Sequence, residues 1–524
     1  MLENHHRVKN EIFYFSQIRQ YFSGSDKTDT YQVVSDRTYN DLDLDELFMF
    51  IDRTVSRIGQ QYYYAIFRTI PADEKRKNRL EHLIRLFKEN PSHKELVLGQ
   101  LARLNNPEAY FVASLIYDPY VQKPSWFWVI RLLSAVSIIS ILLSFFFPQL
   151  LIFLLFVLMT NYFIHYWNKR NLHQHSGSIL QLLLLHRVAK QLLKAPEYAD
   201  EAKELREAVK ALDRVENQMA IFELEATFQS EIGLAFEFIV KILKALLLVE
   251  PQMLFRAPSA LDSKRDHVYE VYRFVSELDI AISVASLREE LAYHTPPAIA
   301  PGKKRISVAD MSHPLLENWV SNSIELRGKS ALLTGSNMSG KTAIRTLGIN
   351  VILGQTINTC FAREFAMPRL RVHSAIRMAD DLMSDKSYYF EEMRTIKKML
   401  DESRSGAQNL FLLDELFKGT NTIERIAAGK SVLSYLNSGG NIVLVATHDL
   451  ELTEHLEQTY QLYHFTEVFS EKSIVFDYKI KAGNLQTTNA IRILELNDYP
   501  TEIVAEAEQL LEHIRKKKAE KPIL

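Results

Sequence analysis

Thr334-Gly335-Ser336-Asn337-Met338-Ser339-Gly340-Lys341-Thr342 is the stretch whose residue types and spacing bear most directly on chemistry. A glycine, four intervening residues and then Gly-Lys-Thr form the pattern in which backbone N–H groups surround the phosphates of a nucleotide. Lys341 then reaches the β/γ oxygens and the Thr342 hydroxyl is offered to Mg²⁺. Gly335, Asn337, Ser339 and Gly340 complete the expected phosphate contacts. The apolar run Ala331-Leu332-Leu333 precedes the loop as a short buried strand, and Ile344, Leu347 and Val351 follow it at helical spacing. The strand-loop-helix context that the motif requires is therefore expected on both sides.

Further segments supply the remaining groups. Asn409-Leu410-Phe411-Leu412-Leu413-Asp414-Glu415 is an apolar strand ending in two carboxylates, with Asp414 suited to hold Mg²⁺ and Glu415 to polarise a water. Asn441 to Thr447 reads as a second buried strand and runs into His448-Asp449. Between the loop and the carboxylates lies Ser387-Tyr388-Tyr389-Phe390-Glu391-Glu392-Met393. The competing reading, a core strand that happens to end in Asp-Glu, leaves the phosphate loop unexplained.

At these residues the chain resembles the ATPase domain of MutS-type mismatch-repair proteins. The resemblance rests on His313-Pro314-Leu315-Leu316, T-G-S-N-M-S-G-K-T, S-Y-Y-F-E-E-M, L-L-D-E-L-F-K-G-T-N-T and A-T-H-D, and runs from about Leu278 to the end. It implies an ABC-type ATPase that binds ATP and Mg²⁺ and works as a homodimer with each nucleotide held between subunits. Ser387 would by analogy reach the partner's γ-phosphate, and His448 would sense that phosphate in its own subunit. Departures are visible: Ser336 and Ser339 replace the usual proline and second glycine. Asp385-Lys386-Ser387-Tyr388-Tyr389 replaces Gly-Arg-Ser-Thr-Phe, and Phe417-Lys418 replaces Gly-Arg. They bear on rate and cross-subunit geometry more than on ATP binding.

A chain of 524 residues that is 47% hydrophobic and 24% charged has the composition of a folded protein, and its length suggests about three domains. A net charge of −2 and pI near 6.8 give no overall electrostatic footprint for nucleic acid. The lone Cys360 excludes an intramolecular disulfide and fits a buried structural thiol in a reducing compartment.

The elements that must position these groups come earlier in the chain. Residues 1–40 carry no signal-peptide pattern. Ile51 to Gln61 resembles the start of the MutS core and lever region, with Thr54 and Gly59 at the family's threonine and glycine places and Gln61 where an arginine is usual. Phe127 to Phe147 is about 31 Å long as a helix, enough for a bilayer core, and Leu150 to Tyr166 adds about 26 Å after a turn at Pro148-Gln149. Trp126, Trp128, Tyr162, Tyr166 and Trp167 are expected at one membrane face, with Lys123, Arg131, Lys169 and Arg170 marking it as cytoplasmic. Ser134, Ser137, Ser140 and Ser144 share a helix face on which the second helix can approach closely; the competing reading is a buried apolar hairpin inside a soluble helical domain.

Residues 178–256 read as long helices, and Pro296-Pro297 with Pro301-Gly302 marks a boundary. No separate stretch resembles the family's DNA clamp, and too few residues precede Asp41 for its mismatch-reading domain. Ile474 to Ile480 alternates as a half-buried strand, and a closing helix from Thr501 to Ile514 is expected to bury Ile503, Ala507, Leu510 and Leu511.

The expected fold is an α/β P-loop ATPase domain of the ABC type plus an all-α lever and core region with a transmembrane helical hairpin. The expected segments are a helical core and lever at 1–120, the hairpin at 121–170, a helical lever at 171–300 and the ATPase at 301–524. The expected function is a membrane-anchored ATPase of the inner (cytoplasmic) membrane, with its soluble parts in the cytoplasm, that couples ATP turnover to lever movement. By resemblance it serves DNA mismatch or damage repair. The alternative is a motor or scaffold acting on a lipid-bilayer or protein partner without DNA.

Overall fold

The computed structural model describes residues 8–118, 125, 127–199, 203–228, 246–248, 252, 261–300, 302, 304–316, 319–335, 337–376, 388–417, 420–470, 473–485, 490–497 and 499–520. The fold is mixed α/β and mostly helical. It divides into two compact units that alternate along the sequence. The first takes Met1–Asp29, Ile51–Arg68 and Asp73–Glu290; the second takes Thr30–Phe50, Thr69–Ala72 and Leu291–Leu524. The segment expected at 1–120 thus contributes to both.

Among its described residues the first unit has no strand. Its centre is the helix Arg265–Glu290, whose Asp279 is fully buried. That carboxylate accepts hydrogen bonds from the Val55 and Ser56 N–H groups at 2.8 and 2.7 Å and from the Ser56 hydroxyl at 2.5 Å. It thereby fixes the start of the helix Arg57–Arg68, where backbone donors lack intrahelical acceptors. A Cβ on Gly59 would stand 2.3 Å from Asp279 Oδ2, so no larger residue fits there. Burial pushes the Asp279 carboxyl up to about 6 despite these donors. Gln61, fully buried, donates to the carbonyls of Gln17 and Tyr110 and accepts from the Tyr272 hydroxyl.

The apolar segment forms a helical hairpin. Its first arm is Phe127–Ser144, and its second begins at Leu150 and continues without a break to Leu192. The turn is therefore 145–149, wider than Pro148-Gln149, and the second apolar run is only the first part of a long helix. Ser134, Ser137 and Ser140 are buried as the serine spacing predicts, and Asn161 donates to Ser137 Oγ at 3.0 Å. The outward faces stay apolar: Trp128, Phe146, Ile152, Phe156 and Phe163 are each at least 63% exposed. By length and composition Phe127–Ser144 can cross a membrane, whereas Ile152–Ile164 is a shorter apolar run. Lys123 and Trp126 lie outside the described residues, and of Tyr166, Trp167, Lys169 and Arg170 only the helical backbone is described.

The strands all belong to the second unit. They are β1 (Thr30–Val33), β2 (Thr69–Pro71), β3 (Ala298–Ile299), β4 (Arg305–Met311), β5 (Asn322–Arg327), β6 (Ser330–Thr334) and β7 (Glu364–Met367). They continue with β8 (Arg371–Ala375), β9 (Asn409–Asp414), β10 (Ile442–Thr447), β11 (Tyr460–His464), β12 (Glu467–Ser470), β13 (Ser473–Phe476) and β14 (Lys481–Ala482). The main sheet has the order β14-β11-β6-β10-β9-β8, parallel from β11 to β8 with β14 antiparallel at one edge. Every residue of β6, β9 and β10 is buried, as expected of parallel strands covered on both faces, which is why they read as continuous apolar runs. A second sheet, β3-β7-β4-β5, is mainly antiparallel.

Residues 30–50 close the exposed edge of β8. The Gln32 amide donates to Val372 O at 2.7 Å and accepts from Val372 N at 2.8 Å, in the manner of one added strand rung. Asp41 accepts from the Ser374 hydroxyl and the Ile376 N–H. An open strand edge is an aggregation hazard, and these side chains satisfy it.

Two expected elements differ. The strand read over Ile474–Ile480 stops at Phe476, because Tyr478 takes φ 51° and an Asp477–Lys481 ion pair holds the bend; β13 pairs with β12 instead. The closing helix runs from Thr501 to Glu520, but its apolar face is not buried in the chain: Ile503 and Leu510 are 47% and 57% exposed.

Candidate nucleotide-binding site

The parallel register sets the site. Thr334 of β6 lies opposite Thr447 of β10, and Ala446 of β10 opposite Asp414 of β9. Gly335, Glu415 and His448, each one residue past its strand, therefore meet at the carboxyl edge of the sheet, where ligands of parallel α/β sheets bind. Gly335 takes φ 127°, and a Cβ there would lie 2.6 Å from Phe465 O, so both conformation and space require glycine. The helix Asn337–Ile357 starts two residues later, directing its first-turn N–H groups toward the loop.

Lys341 Nζ lies 3.0 Å from Asp414 Oδ2; the lysine is about one-third exposed and the aspartate side chain almost fully buried. Thr342 sits in the same helical turn, and its carbonyl accepts from the Thr346 hydroxyl at 2.7 Å. Asp414 and Thr342 offer hard oxygen donors, the type Mg²⁺ takes, and the helix start supplies dipoles for the phosphates. The residues present thus suit Mg²⁺ and a nucleotide. Of Asn337 and Ser339 only the backbone is described, and Gly340 packs against Ala446 Cβ. Ser336 and Ser387 lie outside the described residues.

Glu415 stands at φ 45°, its N–H bonded to Ala446 O at 2.9 Å. Its Oε1 is 3.1 Å from His448 Nε2, and this hydrogen bond raises the His448 pKa above the ordinary imidazole value. The chain then turns again: Phe417 is at φ 61°, a left-handed conformation that is uncommon for an aromatic residue. That conformation accounts for the glycine usual in the resembled family at this position. Here it is held by the buried Glu392, whose Oε1 accepts from Phe417 N at 2.6 Å, and by burial of the Phe417 ring.

Two groups that matter have no local signal in the sequence. Glu392 appears only as one letter of S-Y-Y-F-E-E-M, with nothing to mark it as the inward-facing carboxylate except its spacing with the buried Ile396 and Met399. Arg425 forms two hydrogen bonds with Asp449, at 2.8 and 2.7 Å, and so holds the residue next to His448. Cys360 is fully buried with its thiol pKa raised by that burial, as expected of a structural cysteine.

The similarity to known proteins lies in the C-terminal half of the chain. The family model MutS domain V matches residues 331–515. A DNA mismatch repair protein MutS of Natronomonas pharaonis is 28% identical over 261 residues, covering 48% of this chain and 30% of that protein. The protein of the same name from Shouchella clausii is 30% identical over 250 residues, covering 45% and 28%, and that from Bacillus mycoides 30% over 264 residues, covering 47% and 28%. The chain spans less than one third of the length of each of these relatives. Through its C-terminal half the chain is similar to MutS-type proteins, with residues 331–515 matching MutS domain V.

Proposed function

We propose that the second unit binds ATP with Mg²⁺ and hydrolyses it, and that a homodimer uses this cycle to move the helices of the first unit. The observation that carries the reading is the meeting of the Gly335–Thr342 loop, the Lys341–Asp414 pair and the Glu415–His448 pair at one sheet edge. Lys341 exchanges its carboxylate partner for the β/γ oxygens. Thr342 and Asp414 hold Mg²⁺, which neutralises phosphate charge when bound. Glu415 orients the attacking water and accepts its proton; His448 reports the γ-phosphate, and Ser387 engages the partner subunit's nucleotide. Glu415→Gln is expected to retain ATP binding and lose most turnover; full turnover in that variant would exclude Glu415 from this role.

We further propose a role related to mismatch or damage repair, which the named relatives favour. A second reading, action on a membrane or protein partner without DNA, is favoured by the exposed apolar faces of the hairpin and the near-neutral net charge. In both readings the hairpin seats in the inner (cytoplasmic) membrane with both units on the cytoplasmic side. ATPase rates with and without duplex, mismatched and branched DNA, with Lys341→Ala as the blank, separate them. Stimulation by DNA supports the first reading, and unchanged basal hydrolysis the second. Partition of the full chain into lipid vesicles tests the anchoring.

A further inference from the structure

The helix Tyr388–Glu402 has two working faces. Its inner face carries the buried Glu392, Ile396 and Met399. Its outer face, with Glu391, Arg394, Thr395, Lys398 and Glu402, borders a half-open cavity of about 570 Å³ that is also lined from the 30–38 segment and by Arg371, His373 and Ser374 of β8. That volume falls within the range of small-ligand pockets. Among the described residues the cavity shares no lining residue with the Gly335–Thr342 loop, Asp414, Glu415 or His448.

Charge distinguishes this cavity. Arg37, Arg371, Arg394 and Lys398 line it against Glu391 and Glu402. Arg371 lies 3.6 Å from Glu402 and Arg394 3.9 Å from Glu391, and four cations against two carboxylates leave the lining with a positive surplus. Arg37 is turned into the cavity wall by a 2.9 Å hydrogen bond to the Thr395 hydroxyl, and Arg371 lies over the Tyr31 ring at 5.1 Å. Stacking of this kind holds a guanidinium plane in place while leaving its N–H fork available. Arginine forks match phosphate oxygens, and a ligand with two adjacent phosphates would meet cations from three elements: the 30–38 segment, β8 and the helix.

We propose that this cavity is a second anion site, separate from the proposed ATP site, that takes a phosphate-bearing ligand with at least two negative charges. Because the same helix holds the turn after Glu415 through Glu392, ligand binding on the outer face bears on the hydrolytic turn. The occupancy claim stands without the ATPase reading; the regulatory part rests on it.

The test uses the full chain carrying Lys341→Ala, so that the phosphate loop does not contribute, and titrates inorganic pyrophosphate by calorimetry without Mg²⁺. Saturable, salt-sensitive binding is expected, weakened by about tenfold in a further Arg394→Gln/Lys398→Gln change of two exposed side chains. Competition by a short DNA duplex but not by a mononucleotide identifies a nucleic-acid backbone as the source of the phosphates; the reverse identifies a free nucleotide. Absence of binding, or binding unmoved by the Arg394 and Lys398 changes, overturns the proposal. If pyrophosphate binds there but ATP turnover with intact Lys341 is the same in Arg394→Gln/Lys398→Gln at all pyrophosphate concentrations, the regulatory part fails alone.

Discussion

The Phe417 N–H donates to the buried Glu392 carboxylate at 2.6 Å, which ties the helix after the Ser387 segment to the turn that follows Asp414-Glu415. A left-handed aromatic residue is costly by about 1–3 kcal/mol, and a hydrogen bond to a charged acceptor is worth about 1.5–3 kcal/mol. The two are of one size, so the bond is enough to keep the turn in place. Glu392→Ala is therefore expected to lower kcat by about ten- to a hundredfold with little change in ATP affinity, whereas Glu392→Gln, which keeps an oxygen acceptor, recovers most of it. Equal losses in Ala and Gln variants, or a loss in affinity alone, would show that Glu392 does not act by holding this turn.

Gly335→Ala puts a methyl group 2.6 Å from Phe465 O at a φ that L-residues rarely adopt. A loss of about 2–3 kcal/mol in unfolding free energy is expected, together with weakened nucleotide binding. Denaturant unfolding and a fluorescent-nucleotide titration check both; a variant with unchanged midpoint and affinity contradicts the loop geometry.

Gly59→Ala is expected to destabilise the first unit by about 2 kcal/mol or more, because the new methyl must displace the Asp279 carboxylate from its three donors. Hydrogen exchange of the Arg57–Arg68 helix is the local readout. Protection equal to wild type would sink the explanation given for this glycine.

Asp279 also predicts a pH dependence. Its folded-state pKa, about 6, lies above the unfolded value, so its contribution is fully present below the unfolded pKa and is lost as pH rises through about 6. Stability of wild type relative to Asp279→Asn is expected to fall by on the order of 2–3 kcal/mol between about pH 4 and pH 7. Urea unfolding at several pH values gives this slope directly; a flat difference means the carboxylate stays ionised throughout.

His448 is shifted in the same direction, by its hydrogen bond to Glu415 rather than by burial. As a base with a raised pKa, it keeps its charged bond to Glu415 below the ordinary imidazole pKa and loses it as pH rises through the folded value. The alkaline limb of the ATPase profile is expected to disappear in His448→Asn. Its persistence there would assign that limb to another group.

The sequence by itself determined the parts whose information is local. The Gly335–Thr342 stretch between a strand and a helix, the strand ending at Asp414, the strand running into His448 and the inward serine face of the Phe127–Ser144 helix all follow from spacing along a single element, and each of these elements is found. Local spacing also misled where the deciding partner was absent from it. The Ile503 and Leu510 face is apolar by period yet exposed, and the strand at Ile474 ends early at a bend no alternation records. Only the tertiary structure decided which distant groups complete the candidate site, the start of the Arg57–Arg68 helix and the β8 edge. Glu392 reaches Phe417 across 25 residues, Arg425 reaches Asp449 across 24, Asp279 reaches Ser56 across 223, and Asp41 reaches Ser374 across 333. The reason is physical: buried donors and left-handed turns must be satisfied by whichever acceptor the packing brings near. That choice depends on which faces meet, and residue order does not encode it.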